Sequence, residues 1–541
     1  MVLPPNVSEA DFNSALGEFR TAVGAAWVFS SDADVALYRD SYSIYWGEAE
    51  ERVASAAVAP SKVEEVQQIV RTANKYKIPL YPISTGRNLT YGGAAPNTRG
   101  AVVVDLKRMN KILDVDEKRA FALVEPGVSY FELYAHIRER NLKVMLDVPD
   151  PGWGSPVGTS LDHGCGYTLA GFRDHFGSHC GMEVVTPEGD VIRTGMGALP
   201  NSDSWQDFRY GAGPYVDGLF TQSNFGIVTK MGFWLMPMPE ASFTGTITVP
   251  RYKDLDALVQ EVSYLEDTGL PMGMPAYGSP VAPRAFGPPP PALLSLMQNG
   301  WPTMEALEAF VTAQNRPAWS VQFNFLGPEE TVRASWQAAK RRFGKAIPGA
   351  AFQDGEFLTL PIAREKEPTQ PDKARLGIPG LEIFQMVARN PMTAADPADG
   401  HADFFAMIPR KASAIWEAAR VMFDAHREMG VPPVHHPFSP PINYYSRCFI
   451  MATAVPTWRD PVKNARSREL FAKIMDRCAE HGFAGYRTSP AFQDRLIGKY
   501  SFNNNALLRF QEKLKDGIDP NGIIAPGRYG IWPAKMRKGR A

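Results

Sequence analysis

The segment Pro82-Ile-Ser-Thr-Gly-Arg-Asn-Leu-Thr-Tyr-Gly-Gly93 gathers small residues, hydroxyls and one cation into a single run. Upstream, Ser61-Lys-Val-Glu64 reads as a capping box opening a helix whose Val63, Val66, Ile69, Val70 and Ala73 share one face. That helix ends near Lys77. Ile78 to Ser84 then reads as a short extended segment, and Ala101-Val-Val-Val-Asp-Leu106 as a buried strand. The Gly-rich run is therefore expected as a loop at the end of a strand. Its glycines let the main chain approach a ligand, successive N–H groups can form an anion nest, and Ser84 and Thr85 add hydroxyls, so it could hold a diphosphate. The same residues also make an ordinary turn. The pattern is neither GxxxxGK[ST] nor GxGxxG, which argues against a P-loop or a Rossmann nucleotide site.

The chain has 541 residues, 44% of them hydrophobic, enough for more than one domain at about 150 residues each. Lysine and arginine number 57 against 58 acidic residues, and no stretch is basic enough for a nucleic-acid or anionic membrane surface. Four cysteines, Cys165, Cys180, Cys448 and Cys478, form no CxxC pair. A disulfide framework and a zinc ribbon are both disfavoured, and a reducing compartment fits. The N-terminal MVLPPNVSEADF lacks a basic-then-apolar signal, and no apolar run approaches the about 18 residues of a membrane span. A cytoplasmic protein is expected.

Further along, Ser129-Tyr-Phe-Glu132 is a second capping box, and Met182 to Thr194 reads as a β-hairpin around Pro187-Glu-Gly-Asp190. Near residue 240 the character changes. A strand starts at Thr244-Gly-Thr-Ile-Thr-Val249, a proline-rich loop spans 271 to 291, and Glu417 to Arg427 reads as one helix. The fold class expected is α+β.

Other constellations fail on spacing. His435-His436 are adjacent, and His163, His175 and His179 lack a HExxH glutamate, so no metal site is expected. No GxSxG elbow is present. Cys165 and Cys180 read as small apolar core groups rather than nucleophiles.

Several motifs recur in a fixed order: the 82–93 run with Ala94-Ala-Pro96, Leu146-Asp-Val-Pro-Asp150, Gly164-Cys-Gly-Tyr167-Thr, Gly181-Met-Glu-Val-Val, Arg193 to Pro200, Gln222 to Lys230, Tyr486-Arg487-Thr, and Asp519-Pro-Asn-Gly-Ile-Ile-Ala-Pro-Gly527. Jointly they resemble the vanillyl-alcohol oxidase and 4-alkylphenol oxidase family of flavoproteins over nearly the whole chain. The resemblance implies the two-domain FAD-binding fold of the p-cresol methylhydroxylase type. An FAD-binding domain would span 1–240, a cap domain over the substrate 241–500, and a tail, 501–541, would complete the first domain.

The implied reaction is oxidation of a para-substituted phenol, by hydride transfer from its benzylic carbon to flavin N5 through a p-quinone methide. A phenol hydroxyl has a pKa near ~10, so the site must strip its proton. Tyr91, Tyr486 and Arg487 match the family residues that hold and deprotonate it, and two phenols with one guanidinium suit an oxyanion. Asp150 matches the family carboxylate near the reacting carbon; its distance of seventeen residues to Tyr167 selects it over Asp147. Cys165 and Tyr167 would line the substrate pocket. Ser84, Thr85, Gly86, Arg87, Asn88, Gly158, Gly226, Ile227, Val228 and Arg528 would bind FAD, and His401 occupies the position of a covalent flavin attachment. Ile44-Tyr45 stand where some relatives carry an assisting histidine pair. The implied acceptor is dioxygen with hydrogen peroxide released, and the implied assembly a homodimer, in some relatives stacked into octamers. The alternatives are a cytochrome-coupled dehydrogenase and a 2-hydroxy acid or sugar oxidase on the same scaffold.

Overall fold

In the computed structural model, residues 2–281, 291–369, 372–382, 398–431 and 439–537 are described. The first layer is a four-stranded sheet in the order Val28–Phe29, Ala56–Val58, Val102–Asp105, Leu80–Ile83. Val28–Phe29 adds antiparallel at the edge, and the other two of its three pairings put Val102–Asp105 parallel to both neighbours. Such strands are buried on both faces, which is why they read as unbroken apolar runs. The helix Val63–Tyr76 covers one face with Val66, Ile69, Val70 and Ala73 and stops at Lys77 in the left-handed conformation.

The Ser61–Glu64 capping box does not form: the helix begins at Val63 with Lys62 as its N-cap and no side-chain cap, and the Ser61 backbone N–H donates instead to the Glu65 carboxylate at 2.7 Å. The Ser129–Glu132 box forms as read. The expected hairpin is present as Val185 opposite Val191, closed by the Thr186 N–H bond to the Asp190 carbonyl. It belongs to a five-stranded antiparallel sheet with Ile227–Trp234 at its centre.

From Ala241 a third sheet is built from Ala276–Gly278, Trp319–Gly327, Ala241–Val249 and Ala351–Thr359. Single bridges at Ile442 carry it on to the long pair Gly400–Pro409 and Cys448–Thr457. Helices Leu255–Asp267, Glu329–Ala346, Ala412–Met429 and Pro461–Glu480 pack on it around Trp319, Phe323, Trp336, Phe404 and Phe471. Part of the 271–291 loop, and the His435-His436 pair, lie outside the described residues.

The chain is thus α+β. Its tail returns to the first sheet: the Ala525 N–H donates to the Leu80 carbonyl at 2.7 Å. Lys515, fully buried, ties the tail down through Asp519, the Asn224 carbonyl and the Ile524 carbonyl. No described helix is long and apolar enough to cross a membrane.

Candidate active site

The three sheets leave between them a cavity of about 530 Å³. Its walls come from the 81–93 loop, the 149–167 segment, residues 222–228, one face of the Gly400–Pro409 strand, Tyr486-Arg487 and the tail at Ala525 and Arg528. Strand alternation explains the contribution of Gly400–Pro409. His401, Asp403 and Phe405 face the cavity, and Ala402, Phe404 and Ala406 face the core behind. Asp403 shares the cavity face through its two-residue spacing from His401.

Tyr91 reaches the cavity because Gly92 has a positive φ of 99°, in a position where a Cβ would collide with Pro490. That close approach brings the loop against the segment carrying Tyr486 and Arg487. The latter is fixed from the other side by a backbone bond from Met407 N–H to the Ala484 carbonyl at 3.0 Å. The Arg487 guanidinium carbon lies 4.3 Å from the Tyr91 ring centroid, 5.2 Å from that of Tyr486 and 5.9 Å from that of Phe405. The hydroxyls of Tyr91 and Tyr486 and Nε of Arg487 are buried and make no hydrogen bond among the described residues. Burial pushes both tyrosine hydroxyls upward in pKa, and the Arg487 charge opposes it. Asp403 pushes Tyr91 further up.

Asp147 and Asp150 part company. Asp147 accepts the Thr168 backbone N–H at 2.7 Å and pairs with His175 Nε2 at 2.7 Å, while Tyr130 OH meets the other ring nitrogen at 3.1 Å. It is a buried structural carboxylate. Asp150 lines the cavity and acts electrostatically on Tyr167 and Tyr444. Tyr167 and Tyr444 place their hydroxyls 3.1 Å apart with rings edge to face. Cys165 lies in the same wall, and burial pushes its thiol up to about 12, leaving it un-ionised.

Ser84, Thr85, Gly86, Arg87, Asn88, Gly158, Gly226, Val228, His401 and Arg528 also line this cavity. Ile227 does not: its side chain packs in the core of the first sheet. A Cβ at Gly158 would collide with the Ser84 hydroxyl, so a glycine is what lets the two loops meet. Asp162, which carries no motif of its own, accepts from Asn88 at 2.8 Å and pairs with Arg528 at 2.9 Å. Arg528 also donates to Tyr81 OH at 2.7 Å. His401 is buried, 5.3 Å from the Tyr42 ring and with Nε2 3.7 Å from Asp403. Tyr42 is thus an aromatic neighbour of His401. The loop donors, the permanent cation at Arg528 and the glycine-tight walls fit a bound dinucleotide.

A family model described as an FAD binding domain matches residues 54–195. The flavoprotein subunit of 4-cresol dehydrogenase [hydroxylating] from Pseudomonas putida is 33% identical over 540 residues, 98% of each chain. The chain belongs to this family of FAD-dependent oxidoreductases. FAD is accordingly its cofactor. Two family structures match nearly end to end. One is p-cresol methylhydroxylase with substrate bound, at TM-score 0.81 and 32% identity, covering 98% of this chain and 99% of that one. The other is 4-ethylphenol oxidase from Gulosibacter chungangensis in its isoeugenol complex, at TM-score 0.80 and 31% identity, covering 99% and 100%. The fold expected from the motifs is therefore the family's fold.

Proposed function

We propose that the protein oxidises para-substituted phenols (4-alkylphenols, allylphenols or 4-hydroxybenzylic alcohols), with the substrate's hydroxyl held as phenolate by Tyr91, Tyr486 and Arg487. The observation that carries this is the cluster itself: a buried guanidinium stacked against two buried phenols whose hydroxyls find no protein partner. Unsatisfied buried polar groups are costly, so a site that keeps three of them together is complementary to an oxygen supplied from outside the chain. Arg487 favours that oxygen as an anion, and the two hydroxyls donate to it. A 2-hydroxy acid or sugar would leave a phenolate-shaped cluster without a use.

Bound FAD supplies a two-electron oxidant that accepts hydride from the benzylic carbon. The protein's part is position and charge. Ionisation at the phenol oxygen pushes electrons toward the para carbon, so the product of hydride loss is a neutral quinone methide. Asp150, which lines the same cavity, would take a proton from water adding to that carbon. Residues 1–240 with the 501–541 tail would hold the cofactor, and 241–500 would roof it. His401 is the proposed point of covalent attachment, with Asp403 beside it. An acid-denaturing gel tests this, since a fluorescent band at the protein's mass is expected for the wild type and none for His401→Ala.

Dioxygen is the proposed electron acceptor, and since the chain is as similar to p-cresol methylhydroxylase as to 4-ethylphenol oxidase, reoxidation kinetics are the test. A cytochrome-coupled enzyme would show the opposite behaviour: reduced protein mixed with air-saturated buffer would reoxidise more slowly than it turns over. The assembly proposed is a homodimer. The function as a whole is tested by adding 4-ethylphenol anaerobically to the yellow protein. Bleaching of the flavin band is expected; an unchanged spectrum with every para-substituted phenol tried would overturn the reading.

A further inference from the structure

We propose that Tyr444, together with Tyr167 and Asp150, forms a subsite for one hydroxyl-type oxygen at the para-substituent end of the cavity. The inference rests on the phenol-oxidation reading and adds to it a specificity-determining residue and the chemical class it selects.

The argument is a count of donors. Tyr167 and Tyr444 carry two O–H groups, and their oxygens are 3.1 Å apart. One hydroxyl donates to the other, which leaves one hydrogen to place. No second hydrogen bond to either oxygen is present among the described residues. Burial pushes both phenols upward in pKa, so the pair stays protonated and that hydrogen remains available across the physiological range. Beside the pair stands Asp150, whose charge acts on both tyrosines and whose oxygens, when ionised, only accept. A surplus donor next to an acceptor is complementary to an atom that can accept one hydrogen bond and donate another. Water and an alcohol hydroxyl meet that requirement, and a methyl or methylene group does not.

The two groups line one cavity, and Cys165, two residues from Tyr167 in the chain, lines it with them. In the proposal a phenol anchored at the Tyr91–Tyr486–Arg487 cluster extends its para substituent along this cavity to the Tyr167–Tyr444–Asp150 group. Ile442, Ile450 and Ala452 of the same wall are apolar and offer no competing side-chain donor.

The oxygen could be the hydroxyl of a benzylic alcohol substrate or the water that adds to the quinone methide. In the second case a C–O bond forms at the benzylic carbon, the water's proton passes to Asp150, and the electron pair of the exocyclic double bond returns to the ring oxygen as phenolate. The competing outcome is an alkene, formed when the adjacent carbon loses a proton instead.

Tyr444→Phe keeps the ring and removes the hydroxyl; Tyr167→Phe removes its partner and serves as a second variant should the first fold poorly. With the FAD-loaded enzymes, the ratio of alcohol to alkene formed from 4-ethylphenol and the KM and kcat for 4-hydroxybenzyl alcohol are measured. Loss of one such hydrogen bond corresponds to about tenfold. A fall of that size in the alcohol-to-alkene ratio identifies water as the occupant. A rise of that size in KM for the benzylic alcohol, larger than any change in KM for 4-ethylphenol, identifies the substrate hydroxyl. Either supports the subsite. If ratio and KM are unchanged in both variants while 4-ethylphenol still reduces the flavin, the subsite is overturned and the phenol reading stands. If no para-substituted phenol reduces the wild-type flavin, the phenol reading fails and the subsite with it.

Discussion

The Arg487 guanidinium lies 4.3 Å from the centre of the Tyr91 ring, so one permanent charge is held against the face of one buried phenol. Two consequences can be separated. Tyr91→Phe keeps the ring under Arg487 and removes a hydroxyl that has no protein partner. Its stability is expected to stay within about 1 kcal/mol of wild type, and its rate of flavin reduction to fall roughly tenfold to a hundredfold, the worth of a hydrogen bond to a charged oxygen. Arg487→Met removes the charge that stabilises phenolate. Its reduction rate is expected to climb with pH toward the free phenol's own pKa of about 10, whereas the wild type should be flat between about pH 7 and 9. A flat profile in the variant would separate Arg487 from the ionisation step.

Asp150 and Asp147 should differ in kind. Asp150→Asn is expected to bind FAD and fold normally and to reduce its flavin slower by orders of magnitude. Asp147→Asn instead disturbs the pairing with His175 and the bond from the Thr168 N–H. A loss of about 1–3 kcal/mol in unfolding free energy is expected there. Chemical denaturation and stopped-flow reduction on both variants check the contrast, and the reverse pattern would exchange their roles.

Much of this division was legible in the sequence, and the rest was not for a physical reason. The apolar face of Val63–Tyr76, the Val102–Asp105 strand and the 179–193 hairpin are local patterns, set by residues a few positions apart. The loop residues from Ser84 to Asn88, with Tyr91, Asp150, Tyr167, Tyr486 and Arg487, sit in motifs, and they line one cavity. Asp162 could not be found this way, because its partners Asn88 and Arg528 are 74 and 366 residues away. Tyr444 likewise meets Tyr167 across 277 residues. Asp403 was within reach, being two residues from His401 on a strand. The Ser61 box does not form because the helix starts one residue later than a Ser61 N-cap requires, and adjacent Glu64 and Glu65 make the two registers look alike in the sequence.

The tail clasp carries its own expectation. Lys515→Met leaves Asp519 buried without its cation, although the Ile523 and Ile524 N–H groups still donate to it. A destabilisation of about 3–5 kcal/mol is expected, the cost of breaking a buried pair from one side. Thermal unfolding of the variant measures it. A change below about 1 kcal/mol would mean the tail is held by its backbone bonds alone.

His426 gives the pH dependence of stability. It is buried, bonded to the Val431 carbonyl and to Thr453, and burial pushes its imidazole down to about 4 from an ordinary 6.5. Between those values the unfolded chain binds a proton that the folded chain does not. Its contribution is therefore complete above pH 6.5 and is lost as pH falls toward 4, up to roughly 3 kcal/mol. His426→Gln should flatten the stability curve over that window in equilibrium denaturation, and an unaltered slope would assign the acid sensitivity to other groups.

The most direct measurement compares anaerobic flavin reduction by 4-ethylphenol with reduction by its methyl ether, 4-ethylanisole, at saturating concentrations. The ether fits the same hydrocarbon outline but has no proton to lose. Rapid bleaching with the phenol and none above background with the ether is the expected result, and comparable rates for the two would contradict a site built around a phenolate.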